Sequence, residues 1–240
     1  MRILVTNDDG VGASQLLPLI QWCKKLGDVT TVVPKFEQSG KSHGIEIHKA
    51  FEMKKVDFAP GIEAYALDST PADCVRVAIL GMKKQFDLVI SGINRGLNMG
   101  TDILYSGTVA AVCEAALQGV PAIALSTSLE YYDHAVERLD EVERYILEHK
   151  LMEKHSLYNI NIPEGRNGFR ITRQGGPFYS DDFVLSDDGM CTPNGKCIYQ
   201  NSDDLTLDTD AVMSGYISIT PLSVNKTQQD VYQALSALNA

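Results

Sequence analysis

Along the first 126 residues, short β-branched runs alternate with stretches whose apolar positions recur every three or four residues. That is the signature of βαβ units in a parallel sheet covered on both faces. Arg2 to Thr6 is the first predicted strand. Ser14 is placed to cap a helix in which Leu16, Leu17, Leu19, Ile20, Cys23 and Leu26 keep helical spacing, and Gly27 stops it. Pro18 is compatible because it falls in the first turn. Val29 to Val33 predicts a second strand ending at Pro34, and the alternation at Ile45 and Ile47, then Ala64 to Leu67, predicts further extended segments. Thr70-Pro71-Ala72-Asp73 combines a capping hydroxyl, a proline at the first helical position and an early acid, so a helix is expected to about Gly81. Phe86 to Ile90 is another buried strand. Ser106-Gly107-Thr108 opens a small-residue helix, Val109 to Gln118, which Gly119 closes before the strand Ala122 to Ser126.

Tyr132 to His149 predicts one long amphipathic helix with Ala135, Leu139, Val142, Tyr145 and Ile146 as its apolar stripe. The rhythm then changes. Tyr158 to Ile162, Phe169 to Arg173, Cys197 to Gln200 and Tyr216 to Thr220 read as strands without helices between them, which predicts antiparallel pairing or an excursion from the core. Residues 175–204 are rich in Gly, Asp and Ser and predict a projecting hairpin or arm. Thr227 to Leu238 predicts a terminal helix that needs a docking partner, either its own core or a neighbouring subunit. The expectation is one α/β domain over 1–240, with a core at about 1–175 and 205–225, the arm at 175–204, and a helical tail at about 226–240.

Composition narrows the function. Hydrophobic residues make up 44% and charged residues 22%, enough apolar material for a packed core. Lys+Arg number 21 against Asp+Glu 31, a net charge of −10 that repels polyanions and predicts no stable nucleic-acid partner and no anionic membrane surface. The best apolar runs, Val120 to Leu125 and Ile217 to Ile219, are strand-sized, far short of the roughly 20 residues of a membrane span. The start, MRILVTNDDG, has paired acids and no long apolar region, so the expected compartment is the cytoplasm. Of the five cysteines, Cys23, Cys74 and Cys113 fall in apolar helical patterns and read as buried thiols. Cys191 and Cys197 flank Thr-Pro-Asn-Gly-Lys, a turn signal that would bring two hairpin strands together. They form either a disulfide or two neighbouring thiols, and a reducing compartment favours thiols.

Three polar clusters are candidates for chemistry. Asn7-Asp8-Asp9-Gly10 follows an apolar strand, and ligands of open parallel sheets bind outside the strand carboxyl ends. Adjacent carboxylates in a tight turn repel one another unless a cation or a positive helix end offsets them, which points to a hard divalent ion; a plain turn with one acid capping the next helix accounts for the same residues. Glu37 to Gly44 lies on the same rim after the second strand. A hydroxyl there can ligate a metal, whereas His43 reads as a surface histidine, and Lys35 stands where a P-loop requires glycine. Ser91 to Asp102, followed by Ile103 to Thr108, is glycine-rich between a strand and a helix. Ser106 to Thr108 would present amides and hydroxyls at a helix N-terminus, a ready site for phosphate, and Asn94 can offer a carbonyl oxygen to a metal or an N–H to phosphate. The first turn lacks Gly-x-Gly-x-x-Gly, and the Cys and His spacing does not suit zinc.

These residues resemble a known family. MRILVTNDDG, QSGKS, DSTPADCV, VISGINRGLNMGTDILYSGTVAA, GVPAIALS, YNINIP and GYISITPL are similar to the SurE family of metal-dependent nucleoside monophosphate phosphatases, nearly end to end. The resemblance implies a Rossmann-like α/β core with a C-terminal excursion and hydrolysis of nucleoside 5′- and 3′-monophosphates. It further implies one divalent cation per subunit (Mg2+ or Mn2+) and a homodimer or homotetramer that exchanges C-terminal segments. It carries metal ligation over to Asp8, Asp9, Ser39 and Asn94, catalysis to Asp8, Asp9 and Asn94, and substrate binding to Asn94, Ser106, Gly107 and Thr108. The chain departs from the family pattern at Gly12 to Gln15, at Gln38 where Arg is common, and over Asp181 to Asn201. Two nucleophiles are compatible with the motif, an activated water or Asp8 itself forming an aspartyl-phosphate. Two other functions would use similar residues, a phosphate- or nucleotide-sensing module without turnover and a sugar-nucleotide transferase. The costly acidic pair speaks against the first, and release of free phosphate would exclude the second.

Overall fold

The structure, a computed structural model, describes residues 1–239. The chain runs β1 (Arg2–Thr6), α1 (Leu16–Leu26), β2 (Asp28–Pro34), β3 (Met53–Val56), β4 (Glu63–Leu67), α2 (Pro71–Arg76), β5 (Leu88–Arg95), α3 (Gly107–Leu117) and β6 (Ala122–Thr127). It continues through α4 (Leu139–Glu148), α5 (Leu151–Lys154), β7 (Leu157–Ile162) and β8 (Phe169–Ile171). A nine-stranded sheet has the order β3-β4-β2-β1-β5-β6-β7-β13-β8, β13 being Ile217–Pro221. From β4 to β7 every pairing is parallel, and β3 and β13 are antiparallel to their neighbours β4 and β7. The chain winds one way from β1 to β2 and the other way to β5, so the topological switch point lies between β1 and β5, where such sheets open a crevice.

Period-two alternation places Ile3 and Val5 on one face with Leu16, Leu19, Ile20 and Leu139, and Leu4 on the other with Val75, Val109 and Val112. Both faces are therefore buried, which is why the strands read as nearly continuous apolar runs. Ser106 caps α3 by accepting the Val109 N–H at 3.1 Å, and Thr70 caps α2 through the Asp73 N–H at 3.1 Å, with Pro71 at the first helical position, as their sequences predict. Helical structure continues from α2 through Val77–Gly81.

Several elements differ from expectation. Ser14 does not cap α1; Gln15 occupies that position without a side-chain bond, and the Ser14 hydroxyl reaches Asp133 instead. Ile45 and Ile47 lie in no strand, because the backbone there donates to side chains: Glu46 N–H to Asp73 at 2.8 Å, and His48 and Lys49 N–H to Glu46. The predicted helix 132–149 is divided into a 3-10 segment, Tyr132–Arg138, and α4, with the junction at Arg138, whose buried guanidinium donates to the carbonyls of Pro163 and Gly165. β7 pairs in parallel with β6, so the βαβ rhythm extends one unit further than the pattern suggested.

The arm is a hairpin with a different turn. β9 (Tyr179–Ser180) and β10 (Phe183–Leu185) pair with β12 (Lys196–Cys197) and β11 (Cys191–Pro193), and the reversal falls at residues 186–190, where Ser186 N–H donates to Met190 O. Cys191 and Cys197 thus share one side of the hairpin. Both are free, and at about 3.3 Å per residue six steps of extended chain hold them too far apart to bridge. After α6 (Asp208–Met213), the terminal α7 (Gln229–Ser236) buries none of its residues.

The loop after β5 is fixed by buried polar groups. Asn98 donates its backbone N–H to Asn161 and its side-chain N–H to Ser126, and accepts at its carbonyl from Asn159 and Asn161. Asp208 is fully buried and accepts the N–H groups of Gly100, Gly175 and Thr209. Asp208→Ala strands those amides and should lower stability by on the order of 3 kcal/mol, read by urea unfolding; a loss below about 1 kcal/mol would show that the loop is held by other contacts.

Candidate active site

The turn after β1 is closed by Asn7, which accepts the Gly10 N–H at 3.1 Å and donates to the Gly10 carbonyl at 3.0 Å. Gly10 has φ +84°, and a Cβ there would stand 2.9 Å from the Phe36 backbone, so the loop after β2 lies directly on this turn. The Gln38 N–H donates to the Asp8 carbonyl at 2.7 Å, which brings the Ser39 segment beside the acidic pair. Two chain segments therefore meet at the carboxyl ends of adjacent strands.

Asp8 is buried and accepts a hydrogen bond from the Thr108 hydroxyl. A Cβ on Gly107 would stand 2.9 Å from the Asp8 Cβ, so the N-terminal end of α3 abuts this carboxylate and its dipole favours negative charge there. Asp9 accepts the Arg95 backbone N–H at 3.0 Å. A register shift in β5 between Ser91 and Asn94 re-aims the strand end; Gly92 at the shift has φ +141°, and a Cβ there would meet the Leu125 carbonyl at 2.4 Å. The Asn94 side-chain N–H donates to the Gly96 carbonyl at 2.7 Å, which leaves its oxygen as the atom it can offer a cation.

The structure brings Asp8, Gly107 and Thr108 into contact and joins Asp9 to the residue after Asn94. It treats two candidates differently. The exposed Ser39 donates its hydroxyl to Glu37 at 2.8 Å, and Ser106 spends its hydroxyl on the helix cap. Burial pushes the Asp8 carboxyl up, and burial together with the Asp8 charge raises Asp9 to about 6. Glu37 adds repulsion to both. Among the described residues neither carboxylate is in a salt bridge. A hard cation fits this deficit, although no group of three or more His, Cys, Asp or Glu among the described residues is gathered to hold one. The fit rests on two carboxylates and the neutral oxygens of Ser39 and Asn94.

A cleft of about 710 Å³ opens beside Asp9 and is lined by Glu37, Arg95, Leu129, Tyr132, Asp133 and residues 12–14. The sequence reading missed Arg95, Glu37 and Tyr132. Arg95 directly follows Asn94 in the most specific motif and Glu37 opens the second cluster, so adjacency was an available signal. Tyr132 gave none, since it reads as the start of a helix. Asn159 and Asn161 also escaped notice, and two asparagines alternating through the buried strand Tyr-Asn-Ile-Asn-Ile were their signal.

The model of the family described as Survival protein SurE matches residues 3–181. The 5'-nucleotidase SurE of Caldanaerobacter subterraneus is 41% identical over 250 residues, covering 98% of this chain and 96% of its own. That of Thermosipho melanesiensis is 39% identical over 251 residues, covering 98% and 96%. The crystal structure of the SurE protein from Aquifex aeolicus aligns with a TM-score of 0.81 at 29% identity over 100% of both chains.

Two outcomes follow from the site. With chelator present, the raised carboxyls of Asp8 and Asp9 penalise the fold when ionised, and the penalty is relieved as pH falls through about 6; Asp87, held at about 2 by Arg2, keeps its ion pair throughout that window. Thermal melts should therefore rise from pH 8 to pH 5.5, and a flat or falling profile would contradict the desolvated pair. Gly107→Ala drives a methyl against Asp8 and should cost about 1–3 kcal/mol in denaturant unfolding, whereas an unchanged midpoint would show that α3 can retreat.

Proposed function

The chain belongs to the Survival protein SurE family and is a phosphoric monoester hydrolase of nucleotidase type, and we propose that it cleaves nucleoside 5′- and 3′-monophosphates to nucleoside and phosphate with one divalent cation, Mg2+ or Mn2+, per subunit. The observation that carries this reading is the pair of adjacent carboxylates, Asp8 buried against the amide end of α3 and Asp9 half-buried beside it, neither in a salt bridge among the described residues. Asp8, Asp9, Ser39 and Asn94 would hold the ion. When bound, it supplies charge neutralisation at the phosphate and activation of the attacking water.

The chain's own residues divide the remaining work. Gly107 and Thr108 bring the positive end of α3 to the phosphate, so its oxygens meet favourable charge beside Asp8. Asn94, at the irregularity in β5, would bind the phosphate together with them. Asp9 is the better exposed carboxylate and orients the water for in-line attack; the P–O bond to the sugar breaks, and the leaving oxygen takes a proton from solvent. Asp8 is a poor nucleophile by comparison, because it is 3% exposed and one oxygen accepts from Thr108. That supports water over an aspartyl-phosphate.

The described residues include no helix long and apolar enough to cross a membrane. We place the protein in the cytoplasm, folded as one domain and working as a homodimer or homotetramer with exchanged C-terminal segments. Exposure of Val231, Tyr232 and Leu235 on α7 supports exchange.

The test is phosphate release from a panel of 5′- and 3′-monophosphates with Mg2+ or Mn2+, with and without chelator. Activity should vanish with chelator, and Asp8→Asn should fall about a hundredfold or more with weakened metal affinity and an intact fold. Chelator-resistant turnover, or an Asp8→Asn enzyme that stays active and binds metal tightly, would overturn the assignment.

A further inference from the structure

Asp9 is shared between the acidic pair and the cleft of about 710 Å³, but neither Asp8, Asn94, Gly107 nor Thr108 lines that cleft. The phosphate end of a substrate therefore lies on one side of Asp9 and the cleft receives whatever the phosphate is attached to. Asp9, Glu37 and Asp133 line the cleft, and three carboxylates disfavour a second anionic group there while accepting hydrogen bonds from hydroxyls. An uncharged, hydroxyl-bearing moiety suits that lining.

The far wall adds a planar surface. Arg95, the residue after Asn94, is pinned at its backbone by Asp9 at 3.0 Å, and its guanidinium lies over the Tyr132 ring at 5.9 Å from the centroid. Tyr132 is itself 7% exposed, so the ring is a fixed backing and the guanidinium is the group presented to the cleft. Leu129, 59% exposed, borders the same space and gives it an apolar edge. Arginine planes stack on nucleobases and tolerate any base, because every base has a π-face.

We propose that this cleft is the nucleoside seat, with Arg95 backed by Tyr132 as the platform on which the base stacks and the carboxylate side as the place for the ribose hydroxyls. The assignment rests on the nucleotidase reading and deepens it by naming the residue that recognises the base. Arg95 then acts on the leaving nucleoside and not on the phosphate, and its contribution is to selectivity between phosphomonoesters with and without a base.

The experiment compares adenosine 5′-monophosphate with ribose 5-phosphate, which keeps the phosphate and sugar and lacks the base, in the metal-loaded wild type, Arg95→Ala and Arg95→Lys. The ratio of kcat/KM for the two substrates should fall about tenfold in Arg95→Ala, through KM for the nucleotide. Arg95→Lys should not restore it, because lysine keeps the charge and loses the plane. If both substrates weaken together, or lysine restores the ratio, Arg95 is a phosphate-gripping charge and the proposal is wrong; an unchanged ratio also overturns it. A wild type that hydrolyses neither substrate refutes the nucleotidase reading itself. Arg95 is exposed and, among the described residues, its side chain carries no hydrogen bond, so the variants should fold.

Discussion

Two neighbouring carboxylates at the end of a buried parallel strand repel each other and lose hydration, and that unfavourable pairing is the constraint around which the rest of the molecule is arranged. Asp8 cannot relax outward, because Gly107 leaves no room between it and α3 and the Thr108 hydroxyl holds one oxygen. Asp9 cannot swing away without losing the Arg95 amide. The doublet so fixed is where we propose the cation binds, and the parallel order of β2, β1 and β5 brings the contributing segments to the same rim.

Polar groups spent elsewhere keep that rim in place. Asn98, Asn159, Asn161 and Asp208 are buried and tie the glycine-rich loop after β5 to β7 and to the segment before β13. The donors of this network are paired, although the Asn159 side-chain oxygen has no partner among the described residues, and a slipped loop would leave several buried donors unpaired. The tether matters because Asn94 and Arg95 end β5 directly before that loop, Asn94 in the phosphate site we propose and Arg95 over Tyr132.

Much of this was legible in the sequence, and the exceptions have physical causes. Strands such as Arg2–Thr6 and Ala122–Thr127 are buried on both faces and announce themselves by β-branched runs, and the Ser106 and Thr70 caps are local chemistry that spacing reveals. Ile45 and Ile47 misled because side-chain carboxylates, not a strand, satisfy their neighbours' amides. The hairpin reversal at 186–190 lost out to Thr-Pro-Asn-Gly-Lys, a stronger turn signal that merely kinks one side of the arm. At the site, Asp8 and Asp9 stood out as an adjacent pair, whereas Tyr132 joins only through tertiary packing and nothing local marks it.

Crystals equilibrated with Mn2+ and measured at the manganese absorption edge test whether the doublet holds a cation. A cation seated there gives an anomalous peak bonded to oxygens of both Asp8 and Asp9. Saturating Mn2+ with no density between those side chains, or a peak elsewhere that leaves the doublet bare, would contradict it.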